Sequence, residues 1–235
     1  MSGVVGLGIP LLKANFPRAF LDVNREPYEL DQAMFGDELP TFVNSKSVRV
    51  SSGLGTIARI VSEGQEIYKR RLTADEAIKR IETLYKPYHA ELRNLIAKTH
   101  VVFGCAVLVD CHSMPSSNPV YQNETRPDFV LGDRFGSSCH PALTNLARDI
   151  LTAKGYKVTL NKPYAGGFIT EHYGRPENGL HALQIEMNRG LYMNETVLRQ
   201  SPEFESLQMM LTDFYDQLTQ VNLADLSGTV PLAAE

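Results

Sequence analysis

Cysteine is scarce in this chain, and spacing does not pair it. The 235 residues contain three, Cys105, Cys111 and Cys139, with no CxxC among them. That argues against a disulfide framework and for a reducing compartment, so a cytoplasmic protein is expected. Concentrated positive charge is lacking too. The net charge is −4, and no run of Lys or Arg offers the track of cations that phosphates need, so no nucleic-acid partner is expected. No apolar stretch approaches the ~20 residues that span a bilayer. The opening MSGVVGLGIPLLKANFP has neither a basic leader nor a small-residue cleavage site. No membrane partner is expected.

Familiar catalytic signatures are also missing. There is no HExxH, no HxxE and no GxSxG. The glycines of NKPYAGGFITEHYGRP do not follow a GxGxxG or P-loop order, so nucleotide binding is not indicated. The six histidines, His89, His100, His112, His140, His172 and His181, are scattered.

What remains is an ordinary globular composition, 43% hydrophobic and 21% charged, enough for one domain over residues 1–235 with a loose tail at 227–235. Strands are expected at Val4–Leu12, Arg18–Val23, Val101–Val109 and Asp128–Asp133, and in KVTLN, GGFITEHY and LHALQIEM. The stretch Arg25–Ser52 reads mainly as loop, and Ser113–Thr125 is polar and turn-rich. Thr73 and Glu76 form a capping-box pattern ahead of a helix whose apolar face runs from Ile78 to Ile96, with Pro87 inside it. Further helices are expected at Pro141–Lys154, with Gly155 beyond its end, and at Pro202–Gln220. Strands and helices alternate, and several strands are apolar on both faces. The expected class is α/β: a mixed, mostly parallel sheet flanked by helices on both faces.

Four groups of residues have the types that chemistry uses. Asp110 and His112 are two apart at the end of an apolar run, so on a continuing strand they share a side. An Asp there can hold the second nitrogen of a metal-binding imidazole. The plainer alternative is an Asp capping a turn and a His bonded to backbone. Glu186 sits in LHALQIEMNR, where a carboxylate is expensive to bury unless it is paired or working. It is a candidate general base, or else an ion-pair partner of Arg189. Asn24 and Arg25, in LDVNREP, offer a planar fork and an amide to a carboxylate. Gly166 and Gly167 allow close backbone approach, with His172, Tyr173 and Arg175 nearby as pocket-lining candidates.

Taken in order, the runs FLDVNREPYELD, GLGTIARIV, IETLYKPYHAEL, VLVDCHSMPSS, DFVLGDRFGSSC and NKPYAGGFITEHYGRPENGLHALQIEMNRGLYM resemble the N-formylglutamate amidohydrolase family. The resemblance covers about Phe16 to Asn194, and the family is in turn similar to the zinc carboxypeptidase and aspartoacylase superfamily. It implies a zinc carboxypeptidase/phosphorylase-hydrolase-like sheet and one catalytic Zn2+. It also implies a small-molecule N-acyl amino acid as substrate, most typically N-formyl-L-glutamate cleaved to formate and L-glutamate in histidine breakdown. Carried over residue by residue, His112 matches a zinc ligand with Asp110 behind it, and Glu186 matches the general base. Asn24 and Arg25 match the substrate-carboxylate clamp, and Arg18 the group that polarises the scissile carbonyl. Arg134 and Arg175 are the candidates for a second substrate carboxylate. Family members open on a PHSG-like strand and loop that supplies the first zinc ligands, whereas this sequence starts at MSGVVGLGIPLL. The expectation is an N-terminally truncated domain with an incomplete zinc site and an open sheet edge. Two other readings stay open: a catalytically incomplete domain that binds an acidic amino acid or a protein partner, and a peptidase of the same superfamily. The oligomeric state is left open.

Overall fold

The computed structural model of the chain describes residues 1–61, 64–117 and 126–226. The expected loose tail at 227–235, and most of the turn-rich segment after Ser117, lie outside the described residues. The chain divides into two compact units, one made of Met1–Leu11 and Ile96–Glu235, the other of Leu12–Leu95.

The Leu12–Leu95 unit is mostly loop up to α1 (Val48–Ser51). The expected strand at Arg18–Val23 does not form; residues 18–20 are in turns. Asp22 is the reason. Its carboxylate accepts the Asn24 N–H at 2.9 Å and pairs with Arg18 at 2.9 Å, and such local bonds compete with a strand ladder. The capping box forms as the pattern predicts. Thr73 accepts the Glu76 N–H at 3.2 Å, and Glu76 accepts the Thr73 N–H at 2.9 Å. It opens α2 (Ala74–Arg80), which widens into a π turn over Ile81–Tyr85 and continues as α3 (Lys86–Phe103). The Lys86 N–H reaches back five residues to Ile81 O. The wide turn falls where a regular helix would meet the ring of Pro87.

The apolar string read as one strand over Val101–Val109 is cut in two. Val101, Val102 and Phe103 are the exposed end of α3, and Gly104, at φ +72°, closes the helix with its N–H on His100 O. The strand proper, β1 (Ala106–Met114), starts later and runs past Asp110 and His112. It is followed by β2 (Phe129–Gly132), α4 (Pro141–Ala153), β3 (Val158–Leu160), α5 (Phe168–Tyr173) and β4 (Leu180–Asn188). A small hairpin, β5 (Met193–Asn194) with β6 (Arg199–Gln200), leads to α6 (Phe204–Leu218) and α7 (Leu223–Leu226). Gly155, at φ +87°, follows the end of α4 as expected.

The sheet has the order β1-β4-β2-β3. β1 is parallel to β4, β4 antiparallel to β2, and β2 parallel to β3. β1 therefore stands at one end, with β4 its sheet neighbour among the described residues. One face is the core. Leu183, Ile185 and Met187 of β4 and Phe129 and Leu131 of β2 meet Leu143, Ala147 and Leu151 of α4 and Leu207, Leu211 and Phe214 of α6. Each fully buried Leu or Phe there is worth about 1.5–3 kcal/mol relative to exposure. The opening residues, expected as a strand, form a 3-10 helix (Ser2–Leu7) closed by Gly8 at φ +79° and packed on α6. Among the described residues no helix is long and apolar enough to cross a membrane.

The other face carries α5, which packs against β4 and β1. GGFITEHY has the β-branched content of a strand but is helical here. The Thr170 hydroxyl donates to Gly167 O at 2.8 Å, and Ile169, Thr170 and Tyr173 are buried, so packing overrides propensity.

His181, at the start of β4, ties α4 to α7. Its Nδ1 accepts the His140 N–H at 3.3 Å, and its Nε2 lies 3.0 Å from Leu226 O. That pair of bonds needs the neutral Nε2–H tautomer. Burial lowers the His181 pKa, the Leu226 carbonyl raises it, and the His140 charge lowers it again. A lowered folded pKa means that the unfolded chain binds the proton first, so stability should fall as pH drops below the unfolded value of about 6.5. Denaturant unfolding at several values between about pH 7.5 and 5.5 should show this loss, and His181→Gln should flatten it. An identical acid slope in the variant would assign the loss elsewhere.

Candidate active site

The parallel register sets the site. Asp110 pairs with Gln184 and His112 with Glu186, so all four side chains share one face of the sheet, opposite the core. The Asp110 Oδ2 lies 2.9 Å from His112 Nε2. The carboxylate thus steers the imidazole ring, the geometry expected from their spacing. Glu186 is 8% exposed and Gln184 4%. The Gln184 Nε2 donates to Glu186 Oε1 at 3.1 Å, and its Oε1 accepts the Gly167 N–H at 2.8 Å. On the antiparallel side Val130 is opposite Glu186, and Gly132 opposite Gln184.

The loop beyond His112 is anchored by charge. Arg189 donates to the Ser113 hydroxyl at 3.2 Å and the Ser113 carbonyl at 3.3 Å, and Glu195 accepts the Ser116 N–H at 2.8 Å. Arg189, weighed as a partner for Glu186, thus holds the end of β1.

Of the two candidates for a second carboxylate, Arg134 forms an ion pair with Glu171 at 3.0 Å. Arg175 donates to the carbonyls of Glu171 and Gly174, where it closes the end of α5. In the Leu12–Leu95 unit, Asn24 is buried at 3% exposure. Arg25 donates to Leu54 O at 3.1 Å and to Asn24 O at 2.9 Å, with Asp22 at 3.7 Å. Burial lowers the Arg25 pKa more than Asp22 restores it, so the guanidinium carries its charge in a partly desolvated place. Arg18 is bound to Asp22. His89 is a packed residue: its Nε2 lies 2.9 Å from Val23 O and its ring sits against Tyr85.

Cys111 points the other way. Its sulfur lies 3.1 Å from the Tyr215 hydroxyl of α6, on the face of the sheet opposite Glu186, so it is no nucleophile for this site.

Sequence reading set Gln184 in alternation with the apolar residues beside Glu186 but gave it no role, and it passed over Glu171 and Glu195. Gln184 had a signal, since a second polar residue in phase with Glu186 on an apolar strand must share its face. Glu171 and Glu195 had none, because their partners lie far along the chain.

A zinc ion takes at least three protein donors. His112, with Asp110 behind it, is one donor of the right kind. Among the described residues no three His, Cys, Asp or Glu side chains gather as ligands, so these residues alone do not fit a complete zinc site.

The mixed α/β sheet thus carries a carboxylate and a carboxylate-bound imidazole side by side on one face. The model of the N-formylglutamate amidohydrolase family matches residues 1–193. N-formylglutamate deformylase of Pseudomonas putida is 32% identical over 193 residues, 81% of this chain and 66% of that protein. The Pseudomonas aeruginosa deformylase is 32% identical over 192 residues, 80% of this chain and 66% of its own. The crystal structure of N-formylglutamate amidohydrolase from Ralstonia eutropha JMP134 superposes with a TM-score of 0.80 at 36% identity, covering 88% of this chain and 74% of that one. A gene product of Agrobacterium tumefaciens, 20% identical with a TM-score of 0.56 over 87% of this chain and 68% of its own, shares the fold. The chain belongs to the N-formylglutamate amidohydrolase family. It spans 66% of the length of the curated relatives it matches.

Proposed function

We propose that the chain carries the base-bearing sheet of an amidohydrolase that cleaves an N-acyl amino acid, N-formyl-L-glutamate foremost, to formate and the free amino acid. The carrying observation is Glu186, a buried carboxylate on β4, in register with the Asp110–His112 pair. Water adds to the formyl carbon while Glu186 takes its proton. The carbon–nitrogen bond then breaks, and Glu186 returns the proton to the leaving nitrogen. His112, steered by Asp110, is proposed as one zinc ligand, and the further donors that a zinc ion needs do not gather among the described residues. Asn24 and Arg25 are proposed to read a substrate carboxylate, because a partly desolvated guanidinium gains from a second anion.

The test is formate release from N-formyl-L-glutamate by the purified protein, with zinc supplied and with chelator. Release that requires zinc, together with metal content that falls in His112→Ala, supports the reading. No release at any zinc concentration counts against it.

Arg134 is proposed for the second substrate carboxylate, since Arg175 is committed to backbone carbonyls. The substrate would take the place of the half-exposed Glu171 carboxylate, so the two anions compete for one guanidinium. Glu171→Gln should lower KM for a dianionic substrate, and Arg134→Met should raise it, each by up to about fivefold, the range of an exposed ion pair. Unchanged KM in both variants would remove Arg134 from the substrate's path.

A further inference from the structure

The buried amide of Gln184 joins two parts of the larger unit that the proposed chemistry treats separately, the Ala165–Gly167 loop and the Glu186 carboxylate. We propose that Gln184 is a positioning residue that carries the geometry of this loop to Glu186. The inference rests on the reading of Glu186 as the base.

The sense of the amide is dictated by its neighbours. The Gly167 N–H, 2.8 Å away, can only donate, so the Gln184 oxygen must face it. The Gln184 NH2 is then turned to Glu186 Oε1 at 3.1 Å. A flipped amide would set donor against donor at one end and carbonyl against carboxylate at the other. A glutamine amide supplies an acceptor to one partner and a donor to the other. Glutamate would turn a carboxylate on a carboxylate, and methionine would meet neither partner.

The loop reaches Gln184 because Gly132 has no side chain. Gly132 is the register partner of Gln184 across β2 and β4. A Cβ there would lie 2.7 Å from Ala165 C and 2.8 Å from Gly166 N, inside backbone contact. Gly166, at φ +123°, takes a turn that side-chain-bearing residues avoid. From the far side the Arg134 N–H holds Ala165 O at 2.8 Å, and the Thr170 hydroxyl holds Gly167 O at 2.8 Å. The loop is thereby pinned at both ends, and its Gly167 N–H becomes a fixed post. A glutamate side chain has several rotamers to lose, and the bond from Gln184, itself held by this post, selects among them before substrate arrives. The segment beside Arg134 and α5 and the catalytic carboxylate are thus one mechanical unit.

The link is tested first without turnover. In an NMR spectrum of the 15N-labelled protein, the side-chain NH2 pair that disappears in Gln184→Met belongs to Gln184. One of its protons should be shifted well downfield and slow to exchange. Both properties should weaken in Glu186→Gln, where the charged acceptor is gone, and in Gly132→Ala, where the loop is pushed off. An ordinary, fast-exchanging pair in the unmodified protein, or one indifferent to both changes, overturns the proposal whatever the activity. The second arm is formate release. Gln184→Met should lower kcat by about ten- to hundredfold with KM nearly constant, the size of effect a misplaced catalytic group produces. That loss should vanish in a Glu186→Gln background, because a positioner has nothing left to position. An equal loss in both backgrounds, or a matching rise in KM, overturns the role. If the unmodified protein releases no formate, the base reading fails, while the amide signal still decides the loop-to-carboxylate link.

Discussion

Glu186→Gln is expected to reduce kcat for N-formyl-L-glutamate by about 10²–10⁴-fold, the usual contribution of a placed general base. The substitution keeps the shape of the side chain, and its amide oxygen still accepts from Gln184. What it removes is the ability to take a proton from water and return it to the leaving nitrogen. KM should change little, since binding is assigned to other residues. Thermal unfolding should shift by only a few degrees, which separates a chemical defect from a folding one. Steady-state kinetics beside a melting curve make the measurement. A loss below about tenfold would mean that Glu186 is a structural carboxylate and that the proton goes elsewhere.

The second large effect concerns stability. Phe214→Ala should destabilise the fold by about 3–5 kcal/mol, the transfer loss plus the cavity left behind. Phe214 has 0% exposure and lies in the core between α6 and the sheet, on the side away from Glu186. For a chain of this size that corresponds to a fall in Tm of roughly 6–20 °C. Val102→Ala, at a side chain 71% exposed, should stay within about 0.5 kcal/mol and serves as the comparison. Calorimetry decides it. A near-neutral Phe214→Ala would mean that α6 contributes little to covering the sheet, contrary to its buried stripe of Leu207, Leu211, Phe214 and Leu218.

Much of this arrangement was legible in the linear chain, for local reasons. The capping box at Thr73, the end of α4 at Gly155 and the stripe of α6 are short-range patterns, and each took the predicted form. Alternation along LHALQIEM put Gln184 and Glu186 on one side and Leu183, Ile185 and Met187 on the other, as found. The misread segments share a cause. Val101–Phe103 and GGFITEHY have strand composition, but the first is the exposed end of a helix stopped by Gly104 and the second is a helix held by packing and by Thr170. Short apolar runs suit either state, and neighbours distant in sequence choose between them.

The residues themselves determined the family, the α/β class and the pairs of polar side chains that share a strand face, because those properties follow from order and from a period of two. Only the tertiary structure brought Asp110 beside Gln184 and His112 beside Glu186, because strand register is a contact between segments some 70 residues apart, a separation no local pattern encodes. The same holds for the bond from Gly167 to Gln184. It exists because Gly132, on a third segment, leaves room for a backbone to pass.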